Sequence, residues 1–247
     1  MRKPSIVSEI IDRGGFGYLG LLVDSPSQVL KFCIPEKKPE VFSLEREKRT
    51  LEILGDHKYI IKLLWASERG LCFHYYPLRS IRRYYESYSF ALPPLDQRYQ
   101  WCHQCVAGTS YIHSQGIIHN DLSARNILLS SNMDIKICDF GSATCVGEKI
   151  HGFGEFRYVG FRSPPQQVAT FKDDIFSIGG VFYEIISGKP PYAELDRSEV
   201  VRRYNDNIFA SLDGFDSDYA SIIDSYWNGK YSSIQDLQNE LPPLPNA

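Results

Sequence analysis

Asp121, Asn126 and Asp139 are the residues whose types and spacing point most directly to chemistry. They lie in His119-Asn120-Asp121-Leu122-Ser123-Ala124-Arg125-Asn126 and in Asp139-Phe140-Gly141, so an amide follows the first carboxylate by five residues and a second carboxylate follows it by 18. An amide oxygen and a carboxylate suit a hard divalent cation. A separate carboxylate can accept the proton of an attacking hydroxyl. These are the parts that phosphoryl transfer from a nucleotide requires, with Asn126 and Asp139 as metal ligands and Asp121 as the base. Fixed residue types at fixed spacing make coincidence a poor account of the pattern.

Such residues must be positioned by a folded chain, and the composition describes one. The chain has 247 residues, 43% hydrophobic and 23% charged, with a formal net charge of −3. That is ordinary for a globular protein and gives no reason to expect nucleic acid or an anionic membrane as a partner. The six cysteines have no framework spacing, and the N-terminus lacks an apolar signal core. Reduced thiols in the cytosol or nucleus are therefore expected. Cys102-His103-Gln104-Cys105 has the spacing of a metal or redox pair, but it falls in a helical pattern that points Cys102 into a core.

The first 75 residues read as strands (6–11, 18–23, 28–33, 59–66 and 70–75) around one helix (40–54). Beyond Pro77 the pattern is helical, at about 79–89, 95–115, 172–187, 197–210, 216–227 and 233–240. Strands first and helices second imply an α+β arrangement of two lobes. The lobes are expected over 1–76 and 77–247.

Together these residues resemble the eukaryotic-type protein kinase domain, from about residue 8 to about residue 240. The resemblance implies a two-lobed fold that uses ATP with Mg2+ or Mn2+ on a protein substrate, with family frequency favouring serine or threonine over tyrosine, and as a monomer. Asp12-Arg13-Gly14-Gly15-Phe16-Gly17 resembles the glycine-rich phosphate loop, in which Gly14, Gly15 and Gly17 let backbone N–H groups approach the nucleotide; Asp12 replaces the usual first glycine. Val29-Leu30-Lys31 matches the third strand, whose lysine contacts phosphates, and Glu47 is its implied partner, with Glu45 as the competing choice. His74, Tyr75 and Tyr76 would offer backbone groups to adenine behind Phe73, between Val29 and Leu128.

Departures from the family pattern carry their own expectations. Ser123 stands where many serine/threonine kinases have lysine, while Arg125 follows the tyrosine-kinase pattern and is expected to supply positive charge to the transferred group. Asn120 replaces the arginine that pairs with an activation-segment phosphate in many relatives, so the chain is expected to be active as made, although Ser142, Thr144 and Tyr158 remain candidate phosphorylation sites. Arg162-Ser163-Pro164-Pro165-Gln166 lacks the usual glutamate, and Lys230 replaces its late arginine partner. His119 is expected to pack under Phe140, Asp174 to brace the catalytic loop, and Cys138 to border the nucleotide pocket. A pseudokinase that binds without chemistry and a small-molecule phosphotransferase of related fold are the alternatives.

Overall fold

The computed structural model describes residues 4–14, 17–33, 38–88, 92–152, 154–160 and 168–244. Near the N-terminus lies an antiparallel five-stranded sheet in the order β1-β2-β3-β5-β4, formed by β1 (Val7–Gly14), β2 (Gly17–Leu22), β3 (Gln28–Phe32), β4 (Leu63–Ser67) and β5 (Gly70–His74). Inserted between β3 and β4 is α1 (Lys38–Leu54). Leu44, Glu47, Leu51 and Leu54, spaced by three or four residues, are all buried on it. They share one face of the helix, so a carboxylate sits in an otherwise apolar stripe. The three leucines of that stripe pack into the main core.

The second part is helical: α2 (Ile81–Ser87), α3 (Leu95–Ser114), α4 (Phe171–Ser187), α5 (Arg197–Asn205), α6 (Ser217–Trp227) and α7 (Ile234–Glu240). Its apolar α4 is opened by a Thr170–Asp173 capping box and closed by Gly188 in a left-handed conformation, φ 78°. Cys102 and Cys105 are buried on α3 within the core. Two short antiparallel pairs carry the site segments: β6 (Ile117–Ile118) with β9 (Thr144–Cys145), and β7 (Ile127–Leu129) with β8 (Ile135–Ile137). The result is an α+β fold of two lobes, as the sequence pattern implied.

Among the element boundaries that differ from the sequence reading, three have clear local reasons. Residues 59–61 do not extend β4; they pair with β8 instead, through Ile137 N to Tyr59 O at 2.8 Å and Ile61 N to Ile137 O at 2.9 Å. The helix expected from 79 starts at Ile81, because Arg79 is left-handed (φ 61°) and the Ser80 side chain caps the helix by accepting from Arg83 N. The helix expected to reach 210 stops at Asn205, where left-handed Asn207 (φ 53°) turns the chain and Ile208 N bonds back to Arg203 O.

Candidate active site

Lys31 joins three sequence-distant elements. Its Nζ donates to Glu47 Oε2 of α1 at 2.5 Å and to Asp139 Oδ1 at 2.7 Å. Glu47 is 2% exposed, whereas Glu45 faces solvent, so geometry separates the two candidates. Burial opposes a charged Lys31, but Asp139 and Glu47 outweigh it and hold the ammonium well above its ordinary range. Burial also works against the Asp139 carboxylate, yet Lys31 keeps its pKa below the usual value and so keeps it ionised. Glu47 Oε1 additionally accepts from Phe140 N at 3.3 Å, tying α1 to the segment that begins at Asp139. Ser43 Oγ and Arg46 Nη1 of the same helix donate to Gly141 O.

The catalytic loop is stitched from below by Asp174 of α4. This fully buried carboxylate accepts from His119 N (2.8 Å) and Asn120 N (2.9 Å), and its Oδ2 lies 3.0 Å from His113 Nε2. The helix is capped by Thr170 and Asp173. Asp174 is therefore left for the loop. The buried His119 ring lies 4.8 Å from the Phe140 ring, accepts from Asp121 N at Nδ1 (3.3 Å), and has Nε2 3.0 Å from Cys138 O. Burial lowers its pKa, which favours the neutral ring, and the two hydrogen bonds place its proton on Nε2. That chemistry fits packing.

Asp121 and Asn126 face one another across this loop. Asn126 Nδ2 donates to Asp121 O at 2.8 Å and to Asp121 Oδ2 at 3.1 Å. With its N–H groups so engaged, the carbonyl oxygen is the atom of Asn126 suited to a cation. Asp139 has a left-handed backbone (φ 63°, ψ 68°), an uncommon conformation for a residue with a side chain. Its ionised carboxylate and the Asn126 oxygen fit a hard divalent ion completed by phosphate oxygens, which needs only one or two protein ligands. Asp121 itself is raised to about 7, first by burial and then by the nearby Asp139 charge, against the hydrogen bonds it accepts.

Around the nucleotide end, Gly14 and Gly17 pair at the tip of the β1–β2 hairpin, while Gly15 and Phe16 lie outside the described residues. A Cβ on Gly14 would meet nothing within 4 Å, which leaves space above the backbone; one on Gly17 would stand 2.6 Å from Phe32 O. Asp12 uses its carboxylate locally, accepting from Arg13 N at 2.7 Å. Buried Val29 and half-buried Leu128 belong to or pack against the main core, as does Phe73. The backbone bonds at the hinge narrow which groups could meet adenine. Tyr75 N is committed to Ser27 O at 2.8 Å and Tyr76 O accepts from Arg79 N at 2.9 Å, which leaves Tyr76 N and the backbone of His74 as groups suited to adenine.

Several features were not anticipated. Glu155 N donates to Asp121 Oδ1 at 3.1 Å, bringing the activation segment onto the candidate base. The Glu155 side chain pairs with Arg82, and Arg125, 61% exposed, lies 3.8 Å from it. Ser142, Thr144 and Tyr158 are all buried, which counts against them as accessible phosphorylation sites in this conformation. Lys230 is exposed and pairs with Glu240 at 3.4 Å, so no buried cation waits there for the missing glutamate; residues 161–167, including the Arg162–Gln166 motif, lie outside the described residues.

Comparison with known proteins agrees with this geometry. A family model described as "Protein kinase domain" matches residues 7–239. Mitogen-activated protein kinase HOG1 of Kluyveromyces lactis is 38% identical over 109 residues, 42% of this chain and 24% of that protein. HOG1 of Saccharomyces cerevisiae is 38% identical over the same length (42% and 25%), and HOG1 of Exserohilum turcicum 37% identical (42% and 32%). The match therefore spans about a quarter to a third of the length of these curated relatives. With its family model extending over nearly the whole sequence, the chain belongs to the protein kinase domain family, whose members draw on ATP and a divalent metal.

Proposed function

We propose that the chain is an ATP-dependent protein kinase that moves the γ-phosphoryl group to a protein hydroxyl, serine and threonine ahead of tyrosine. The observation that carries this reading is the single ion cluster in which Lys31 contacts both Glu47 and Asp139. In this reading Lys31, fixed by Glu47, contacts the phosphates, and Gly14, Gly15 and Gly17 are the residues proposed to let backbone N–H groups reach them. Val29, Leu128 and the backbone at His74 and Tyr76 receive adenine. Asn126 and Asp139 would hold magnesium or manganese, which would neutralise phosphate charge there. Asp121 orients the acceptor hydroxyl and takes its proton. Arg125 brings positive charge to the acceptor side of the cleft.

Residues 1–76 and 77–247 are then the two lobes of one domain, acting as a monomer. A net charge of −3 supports a protein substrate over nucleic acid, and among the described residues no helix is long and apolar enough to cross a membrane. We place the protein in the cytosol or nucleus. The similar proteins are themselves named protein kinases, which supports this reading over a small-molecule phosphotransferase.

The test is transfer of label from γ-³²P-ATP to a peptide array with magnesium, with manganese and with a chelator, followed by phosphoamino-acid analysis. Metal-dependent label on serine or threonine is the expected result. Nucleotide binding with no transfer to any peptide would favour a binding module, and label on phosphotyrosine alone would overturn the order of acceptors.

A further inference from the structure

The activation segment reaches Asp121 through backbone rather than through a side chain. Glu155 N donates to Asp121 Oδ1 at 3.1 Å, while Asn126 Nδ2 donates to the other oxygen, also at 3.1 Å. The preceding residue has to be small: a Cβ on Gly154 would stand 2.8 Å from Asn120 O and 3.0 Å from Asp121 Oδ1. The position of the backbone at 155 therefore sets where one carboxylate oxygen points.

Tyr158 N donates to Glu155 O at 2.8 Å, and the Glu155 side chain is held by one guanidinium. Arg82 of α2 donates from Nη1 to Glu155 Oε1 and Oε2 at 3.0 and 2.8 Å. Its Nε and Nη2 donate to Glu184 Oε1 and Oε2 of α4 at 2.8 Å each, and Nη2 also donates to the Tyr158 hydroxyl at 2.6 Å. The Tyr158 hydroxyl in turn donates to Glu184. Arg82 is 14% exposed, Glu155 11% and Glu184 1%. A planar fork with five N–H donors can serve two carboxylates at once, and an ammonium cannot reproduce that geometry.

The next residues are anchored to the helical lobe by the same logic. Ser177 Oγ donates to Tyr158 O at 2.7 Å, and Tyr204 of α5 donates its hydroxyl to Arg157 O at 2.7 Å. Arg157 and Arg125 come within 3.9 and 3.8 Å of Glu155, but Arg157 donates to Tyr192 O and Leu195 O and Arg125 is largely exposed. Arg82 is the cation that hydrogen-bonds both carboxylates.

We propose that Arg82 is a positioning residue for the transfer step: by holding the Glu155 side chain, it fixes the backbone N–H that orients Asp121. The inference rests on the kinase reading above. It adds a residue of α2, outside the catalytic loop, to the apparatus that aims the base.

Arg82→Met and Glu155→Ala break the link from its two ends, and Arg82→Lys retains charge without the fork should Arg82→Met fail to fold. Each variant is followed by hydrogen exchange at the Glu155 amide in ¹⁵N-labelled protein, by the Kd for the metal–ATP complex, and by kcat on a peptide substrate. In the folded variants the Glu155 amide should exchange about tenfold faster or more, and kcat should fall about 10- to 100-fold with nucleotide Kd within about twofold. The double variant should be no worse than the poorer single one, because both remove the same link. Wild-type exchange at Glu155 in Arg82→Met or Arg82→Lys overturns the proposal, as does an equal loss of kcat and nucleotide affinity, which marks a purely structural role. If the wild-type protein transfers phosphate to no peptide, the kinase reading has failed, and the Glu155 amide still decides whether Arg82 holds this backbone against Asp121.

Discussion

Lys31, Glu47 and Asp139 on one side of the cleft, and Asp121, Asn126 and Glu155 on the other, are held by different kinds of interaction. The first group is an ion cluster assembled from β3, α1 and the segment after β8. It exists only while α1 rests on the start of the activation segment, where Ser43 and Arg46 meet Gly141 O. The second group is fixed largely by backbone N–H donors from the helical lobe, with Asp174 beneath the loop and Glu155 above Asp121. The nucleotide side is therefore sensitive to the placement of a helix, whereas the acceptor side is built into the core of the larger lobe.

The sharpest way to separate the two sides is Asp121→Asn against Asp139→Asn. The first removes the base and should cut turnover by about 10²-fold or more with nucleotide binding nearly intact. The second should weaken binding of the metal–ATP complex by about tenfold or more, read by calorimetry. Full phosphotransfer by the Asp121 variant in a radiolabel assay would sink the assignment.

Lys31→Met breaks the ion cluster and leaves Glu47 buried beside Asp139. A loss of about 1–3 kcal/mol in urea unfolding is expected together with lost activity, while Glu45→Ala on the exposed face should change stability by less than about 0.5 kcal/mol. Equal effects from the two substitutions would show that Glu45 and Glu47 had been distinguished wrongly.

A third prediction concerns protons. Burial and Asp139 both favour the neutral form of Asp121, so its carboxyl should titrate near 7 in metal-free protein, as read by ¹³C NMR. A divalent ion at Asn126 and Asp139 favours the charged form, so added magnesium should move that titration downward. The stability this group contributes without metal is present below its ordinary value of 3.8 and is lost as pH rises through about 7. A titration unmoved by magnesium would place the ion elsewhere.

Cys138 gives a smaller effect. Burial, with Asp139 beside it, raises its thiol well above the ordinary range, so little thiolate is present at neutral pH. An electrophile delivered by an ATP-site ligand should label it slowly, faster as pH rises, and excess ATP should protect it. Mass spectrometry showing label only on Cys33 or Cys145 would contradict its position at the pocket. Phosphatase treatment should have the least effect of all, changing the peptide rate by less than about tenfold, because Ser142, Thr144 and Tyr158 are buried and Asn120 offers no cation to a phosphate.

The parts of the site legible in the sequence were those with local spacing. Asp121, Asn126 and Asp139 lie close along the chain, and Glu47 falls on the apolar period of α1. Arg82 gave no such signal. In Ile81-Arg82-Arg83-Tyr84-Tyr85 it reads as a solvated face, and its carboxylate partners lie 73 and 102 residues away. The Glu155 contribution was hidden for another reason: the group touching Asp121 is a backbone N–H, which every residue but proline carries. The pairing of residues 59–61 with β8 was equally hidden, because an apolar run reads alike whichever neighbour it bonds.

Asn120 joins the catalytic loop to the start of the activation segment with neutral groups. Its Nδ2 donates to Ser142 O at 3.0 Å and to Thr144 Oγ1 at 2.9 Å. A clamp between an arginine and a phosphate weakens as salt screens its charges, over a Debye length of about 8 Å at physiological ionic strength. Amide-to-oxygen bonds carry no net charge to screen. The order of this junction should therefore be indifferent to ionic strength, persisting in concentrated salt where a charge-based clamp would loosen.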